Sequence, residues 1–242
     1  KAFSIGVGKR LVELGVGVIP AGGGCLRLYQ RNVDLLTDKK DLQPAFRRAF
    51  ETIGMAKVAT SALEARDRYT QQHSERVARL AILLGQEMNC TPEELDILHF
   101  SGHLHDIGKI GIRDDILLKR SGLTAEEYEK IKEHPQIGAN IVGQLGLWDR
   151  EKDIIRYHHE HYDGTGYPEG LQGEAIPFLS RILAVADVFD AMASGRAYRK
   201  KIEEAVVLDA IRERAGTHFD PQVVETLLRL YQEGRFPTPS GA

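Results

Sequence analysis

The run HHEHYDGTGYP at residues 158–168 sets two adjacent histidines, His158 and His159, directly before a tight glycine turn that carries Tyr167. Three fragments of the same kind lie upstream: HSERV from His73, HDIGK from His105 and HPQIG from His134. A fourth, ADVFD with Asp187, lies downstream. Together they supply His73, His105, Asp106, His134, His158, His159 and Asp187, five imidazoles and two carboxylates with no cysteine among them. Such a nitrogen and oxygen donor set suits iron or manganese, and zinc also accepts it.

Seven ligands exceed what one ion takes while keeping a position for water. A carboxylate set between histidines can bridge two ions through its two oxygens. The expectation is therefore a pair of divalent ions sharing Asp106, the usual device for hydrolysing phosphate esters. Adjacent helical residues point about 100° apart, whereas residues three or four apart share a face. His105 and Asp106 would thus reach neighbouring ions, and Lys109 would fall on the face of Asp106. There its ammonium would act electrostatically on an activated water or a nonbridging phosphate oxygen.

In this order the fragments resemble the HD-GYP family of cyclic dinucleotide phosphodiesterases, a branch of the HD-domain metal phosphohydrolases. The resemblance covers roughly residues 58–235, with ligands recurring at similar intervals from 73 through 105, 134 and 158, and from 159 to 187. It implies that His73, His105, Asp106 and Asp187 hold one ion, and that Asp106, His134, His158 and His159 hold the other. Lys109 would contact the bridging water or the substrate phosphate. The GYP signature, Gly166, Tyr167 and Pro168, would lie at the rim of the site in a loop that Asp163 helps to fix. Arg196 and Arg199, in the basic stretch after the last ligand, would meet the second phosphate or a guanine. The implied reaction is hydrolysis of cyclic di-GMP to linear pGpG and onward to GMP. Another cyclic dinucleotide such as cyclic GMP-AMP is an alternative substrate. An alternative of a different class is a noncatalytic module that binds the dinucleotide or docks a diguanylate cyclase (GGDEF) through the GYP loop; the complete ligand set argues against it.

The chain departs from the family pattern in two places. Members thought to hold three metals have a glutamate four residues before the first histidine, where this chain has Tyr69. A phenol stays protonated near an unperturbed pKa of about 10 and is a poor ligand at neutral pH, so two metals are expected. In SGRAYR, Gly195 and Ala197 replace an acid and a proline, which implies a more flexible loop.

Several of these residues also have a plain structural reading. His73 alone is compatible with a polar position on a helix whose apolar face is Val77, Leu80, Ala81 and Leu84. His134 before Pro135 reads as a helix-end residue, because proline disfavours helical geometry in its predecessor; its place in the series assigns it as a ligand. Tyr167 is compatible with packing against its own loop or with stacking on a base, and stacking alone does not define a substrate. Gly164, Gly166 and Gly170 mark turns. His99, His103, His161 and His218 have no support from the series and are left outside the site.

Composition sets the wider frame. With 242 residues, 42% of them hydrophobic, the chain can bury one substantial core. The expected organisation is an accessory segment or sensory remnant with its linker over 1–50, a catalytic domain over 51–236 and a disordered tail over 237–242. A net charge of −3 argues against binding of a nucleic acid polymer. Cys25 and Cys90 share no motif and point to free thiols in a reducing compartment, the cytoplasm. No apolar run reaches the length of a membrane span. The chain starts at Lys1 without methionine, which is compatible with a fragment preceded by a sensor or membrane segment.

Periodicity predicts an all-α bundle. The opening 40 or so residues differ, with Gly15, Gly17, Gly22, Gly23 and Gly24 among Val16, Val18, Ile19, Leu26 and Leu28, a pattern compatible with short strands and lacking a phosphate-loop signature. A linking helix is expected over 42–85, equally compatible with a homodimer and with packing inside one chain. Thr91 and Pro92 open a helix running to His105, and Thr124 with Glu127 forms a capping box. Further helices are expected near 136–145, 150–159, 177–193, 203–214 and 221–232, the last opened by Asp220-Pro221.

Overall fold

The computed structural model describes Leu63 and residues 73–119, 121–144, 149–194 and 203–236. The expectations placed on residues 1–50, on the linking helix before His73, on Tyr69, on Gly195, Arg196, Ala197 and Arg199, and on the tail 237–242 lie outside the described residues.

Helix α1, His73–Glu87, buries the stripe Val77, Leu80, Ala81 and Leu84, the spacing of one helical face. The chain turns through Asn89, at φ 60, into α2, Pro92–Leu104. Thr91 caps α2 in a full capping box with Glu94, and Pro92 sits where a missing N–H is harmless. The helix stops at Leu104, with His105 as its C-cap. The chain then tightens into a 3₁₀ turn, Ile107–Gly111. Lys109 therefore follows Asp106 on a 3₁₀ turn instead of on the continuous α-helical face expected from spacing.

Helix α3, Asp114–Leu117, leads to α4, Ala125–Ile131, opened by the Thr124–Glu127 capping box. Helix α5, His134–Gly143, packs on the 3₁₀ turn and on α6, Asp149–Tyr157. His134 begins α5, which corrects the helix-end reading of its backbone. Pro135 falls in the first turn, where the absent N–H has no intrahelical partner to lose.

Helix α7, Phe178–Ala193, lies at the centre of the bundle and touches α1, α2, α6, α8 (Glu204–Arg212) and α9 (Pro221–Gln232). Its Ile182, Leu183, Val185 and Ala186 are fully buried against Leu84, Leu98, Ile211 and Leu227. Each large aliphatic side chain so buried contributes about 1.5–3 kcal/mol. Asp220 caps α9 by accepting from the Gln222 N–H at 2.8 Å and pairs with Arg181, which ties α9 to α7. Among the described residues there is no strand, only isolated bridges at Asp163 with Gln172 and Ala215 with Phe219. No described helix is long and apolar enough to cross a membrane. The architecture is all-α, as periodicity predicts.

Candidate metal centre

Five imidazoles form one continuous cluster. The ring centroids of His73 and His105 are 5.4 Å apart, those of His105 and His158 5.3 Å, those of His158 and His159 4.0 Å, and those of His134 and His159 5.0 Å. The seven residues come from the start of α1, the end of α2, the start of α5, the end of α6 and the middle of α7, so folding of the bundle assembles them.

Three of the histidines are set by one local device. His105 Nδ1 donates to the carbonyl of Gly102 at 2.8 Å, His134 Nδ1 to Ile131 at 2.8 Å and His158 Nδ1 to Ile155 at 2.6 Å. A carbonyl only accepts, so the proton lies on Nδ1 and the lone pair on Nε2. All three Nε2 atoms are buried with no hydrogen-bond partner. His105 Nε2 is 3.4 Å from Asp106 Oδ2, and His134 Nε2 is 3.4 Å from Asp106 Oδ1. Lone pairs thus face the two oxygens of one buried carboxylate from either side, an arrangement that calls for cations between them.

Ligand atoms fall into two sets, each within 4.8 Å: His73, His105 and Asp106, and His134, His158 and His159. Asp187 adjoins the first, with Oδ1 3.1 Å from His73 Nε2 and 3.7 Å from His105 Nε2. These His/Asp clusters are chemically suited to hold divalent metal.

The two sets differ in charge. Burial opposes protonation of His73, but hydrogen bonds to Asp187 and Asp190 outweigh it and hold its pKa at about 10. Burial likewise opposes protonation of His105, and Asp106 and Asp187 again win, raising its pKa. Across the cluster burial dominates. It pushes His134 down to about 4 and His158 down to about 3, and lowers His159 well below the usual imidazole value, helped by the neighbouring rings. Asp187 and Asp106 are held low despite burial: Asp187 chiefly by its hydrogen bond with His73, Asp106 chiefly by Lys109 and His105. Without metal, then, His73 carries a proton shared with Asp187 and Asp190, while the His134 set already presents neutral donors.

Lys109 places Nζ 2.6 Å from Asp106 Oδ2, at the edge of the centre. Tyr167 stacks on His159 with centroids 5.0 Å apart and planes at 31°. Gly166 is pressed against the preceding chain: a Cβ there would stand 2.2 Å from the His161 nitrogen. Pro168 is exposed. Asp163 is exposed too, and its Oδ1 accepts from the Thr165 N–H at 2.9 Å and from the Thr165 hydroxyl at 2.7 Å, which shapes the turn.

Two residues escape a reading of the sequence. Asp190, one helical turn after Asp187, takes His73 Nδ1 on Oδ2 at 2.7 Å and both Arg76 Nε and Nη2, at 2.6 and 3.0 Å. It orients His73 from behind. Glu160, 3% exposed, accepts the backbone N–H groups of Glu169, Gly170 and Leu171 at 2.8, 3.1 and 3.0 Å. It closes the GYP loop onto the residue that follows the paired histidines. The i, i+3 spacing of Asp187 and Asp190 was a usable signal for the first; nothing in sequence marks the second. Of the four excluded histidines, His161 and His218 stack on each other at 3.5 Å beside the loop.

The HD-domain family model matches residues 57–223. A cyclic di-GMP phosphodiesterase of Vibrio cholerae is 38% identical over 220 residues, covering 84% of this chain and 45% of the relative. A 3′3′-cGAMP-specific phosphodiesterase of the same organism is 34% identical over 210 residues, covering 86% and 40%. The crystal structure of a cyclic GMP-AMP-specific phosphodiesterase from V. cholerae superposes with a TM-score of 0.59 at 24% identity, covering 75% of this chain and 49% of that one, a likeness of fold. The chain spans less than half the length of these curated relatives.

Proposed function

The chain belongs to the HD-domain family, and on that premise we propose that it is a metal-dependent phosphodiesterase that hydrolyses cyclic di-GMP to linear pGpG and then to GMP. Residues 51–236 form the catalytic unit in this reading, and residues 1–50 belong to an accessory or sensory part. The observation that carries the proposal is the convergence of two partnerless buried Nε2 atoms, those of His105 and His134, on opposite oxygens of one carboxylate.

In this reading His73, His105, Asp106 and Asp187 hold one divalent ion, iron or manganese, and Asp106, His134, His158 and His159 hold the second. Two such ions lower the pKa of water and neutralise charge on a phosphate. Asp106, whose two oxygens face His105 and His134, would be the residue shared between the two sets. Lys109, held beside Asp106, meets a nonbridging phosphate oxygen as charge gathers there during in-line attack of water and departure of the 3′ oxygen. The neutral imidazoles at the His134 side leave the net positive charge needed to receive a dianionic substrate. Gly166, Tyr167 and Pro168 form the rim, with Asp163 shaping its turn, and Arg196 and Arg199 serve the second phosphate. A cytoplasmic location follows the cysteine usage.

The 3′3′-cGAMP-specific relative makes the hybrid dinucleotide the competing substrate. The test compares turnover of cyclic di-GMP and 3′3′-cGAMP by protein loaded anaerobically with ferrous iron or manganese, with metal counted on the same sample. Turnover of cyclic di-GMP, abolished in Asp106→Ala, is expected. Two bound metals with no turnover of either dinucleotide would overturn the reading in favour of a binding or cyclase-docking module.

A further inference from the structure

We infer that Lys132 and Tyr128 form the subsite for the half of the cyclic dinucleotide that is not being cleaved, with Lys132 on the distal phosphate and Tyr128 beneath a base. The inference rests on the phosphodiesterase reading above and deepens it. Lys132 precedes the candidate ligand His134 by two residues. Its ammonium lies 5.2 Å from the Tyr128 ring centroid and 5.8 Å from that of Tyr167. Tyr167 in turn stacks on His159. A cation therefore lies beside two aromatic rings, one of which stacks on a histidine of the neutral-imidazole side of the centre.

Each part of this arrangement has a property that binding requires. Tyr128 is left 47% exposed in the middle of a short helix, an aromatic face in water next to a site expected to take a nucleotide, and base stacking on such a face contributes about 1–3 kcal/mol per base. The partner of Lys132 is Glu129, Nζ to Oε1 at 2.6 Å, one turn earlier on α4 and 66% exposed. A solvated i, i+3 pair of this kind contributes little to stability, so a phosphate can replace the carboxylate. A cyclic dinucleotide has two phosphates; with one at Asp106 and Lys109, the other needs a cation away from the metals, and Lys132, beside the ring that stacks on His159, supplies one.

The experiment measures steady-state kinetics of metal-loaded wild type, Lys132→Gln, Lys132→Arg and Tyr128→Leu on cyclic di-GMP and on bis(4-nitrophenyl) phosphate, a single phosphodiester without a distal phosphate. Lys132→Gln and Tyr128→Leu are each expected to lower kcat/KM for the dinucleotide by about tenfold relative to the simple diester, mainly through KM, as loss of one charge-assisted contact or one stacking face predicts. Lys132→Arg should restore most of that ratio. Equal loss on both substrates, or no change in the ratio, would overturn the subsite. Wild type that turns over neither substrate would overturn the phosphodiesterase reading itself, and the subsite with it.

Discussion

A Cβ on Gly108 would stand 1.9 Å from the carbonyl oxygen of His134. The glycine of HDIGK is therefore the point at which the 3₁₀ turn carrying Asp106 touches the helix carrying the next ligand. No side chain fits between them, and the separation of the two ligand sets depends on that contact.

Gly108→Ala should consequently push the two elements apart. Overpacking of this kind costs about 1–3 kcal/mol, and the shift falls on Asp106 and His134. Chemical denaturation should show the loss of stability, and metal analysis should show less than the wild-type content. An alanine variant with wild-type metal content and stability would show that the turn and helix can separate harmlessly.

Asp190→Asn should weaken metal binding at the His73 set while leaving the His134 set loaded. The carboxylate holds the His73 proton on Nδ1 and neutralises Arg76; loss of such outer support lowers metal affinity about 10–100-fold. Competition with a chelator should reveal one weakened site and one unchanged. Arg76→Lys, which keeps the charge and loses the fork, should produce a smaller shift.

Stability of the metal-free protein should peak near pH 6.5. His134 and His158 are depressed to about 4 and about 3 in the fold, so the unfolded chain takes up protons first as pH falls below about 6.5. Their contribution is present above that value and is lost on the acid side, by about 1.4 kcal/mol per pH unit for each group. His73 is raised to about 10; its contribution is full below about 6.5 and is lost as pH rises through 10. Denaturation between pH 4 and 10 should trace this dome. Metal loading displaces the His73 proton, so the alkaline decline should flatten and proton release should accompany binding at the His73 set. An alkaline limb identical with and without metal would contradict the charge assignment.

Much of the centre was legible in the sequence because metal ligation demands particular donor types, and His73, His105, Asp106, His134, His158, His159 and Asp187 do come together. Capping chemistry was legible for the same reason: Thr124 with Glu127 and Asp220 before Pro221 act only on their immediate neighbours. What was not legible is contact across the fold. Asp190 and Arg76 are 114 positions apart. Lys132 and Tyr167 meet across 35 positions of sequence, a contact that no local pattern announces. The helix-end reading of His134 failed because the rule for residues before proline yields at a helix start, where Glu133 holds the N-cap position without a side-chain cap and Pro135 fits the first turn.

Glu160→Gln should loosen the loop without emptying the centre. One amide oxygen cannot replace two carboxylate oxygens that serve three N–H groups, and each unsatisfied donor costs about 1–3 kcal/mol locally. Faster hydrogen exchange at Glu169, Gly170 and Leu171 and a higher KM are expected, with metal content unchanged.

Because Glu160 grips only main chain, the loop is fastened in a way indifferent to the side chains it presents. The exposed side chains at Pro168 and Glu169 can therefore be rewritten, by selection or by grafting, while Gly166, which admits no Cβ, and Tyr167, stacked on His159, stay as they are. For the proposed phosphodiesterase, the rim can thus vary while the histidines immediately before it keep their aim.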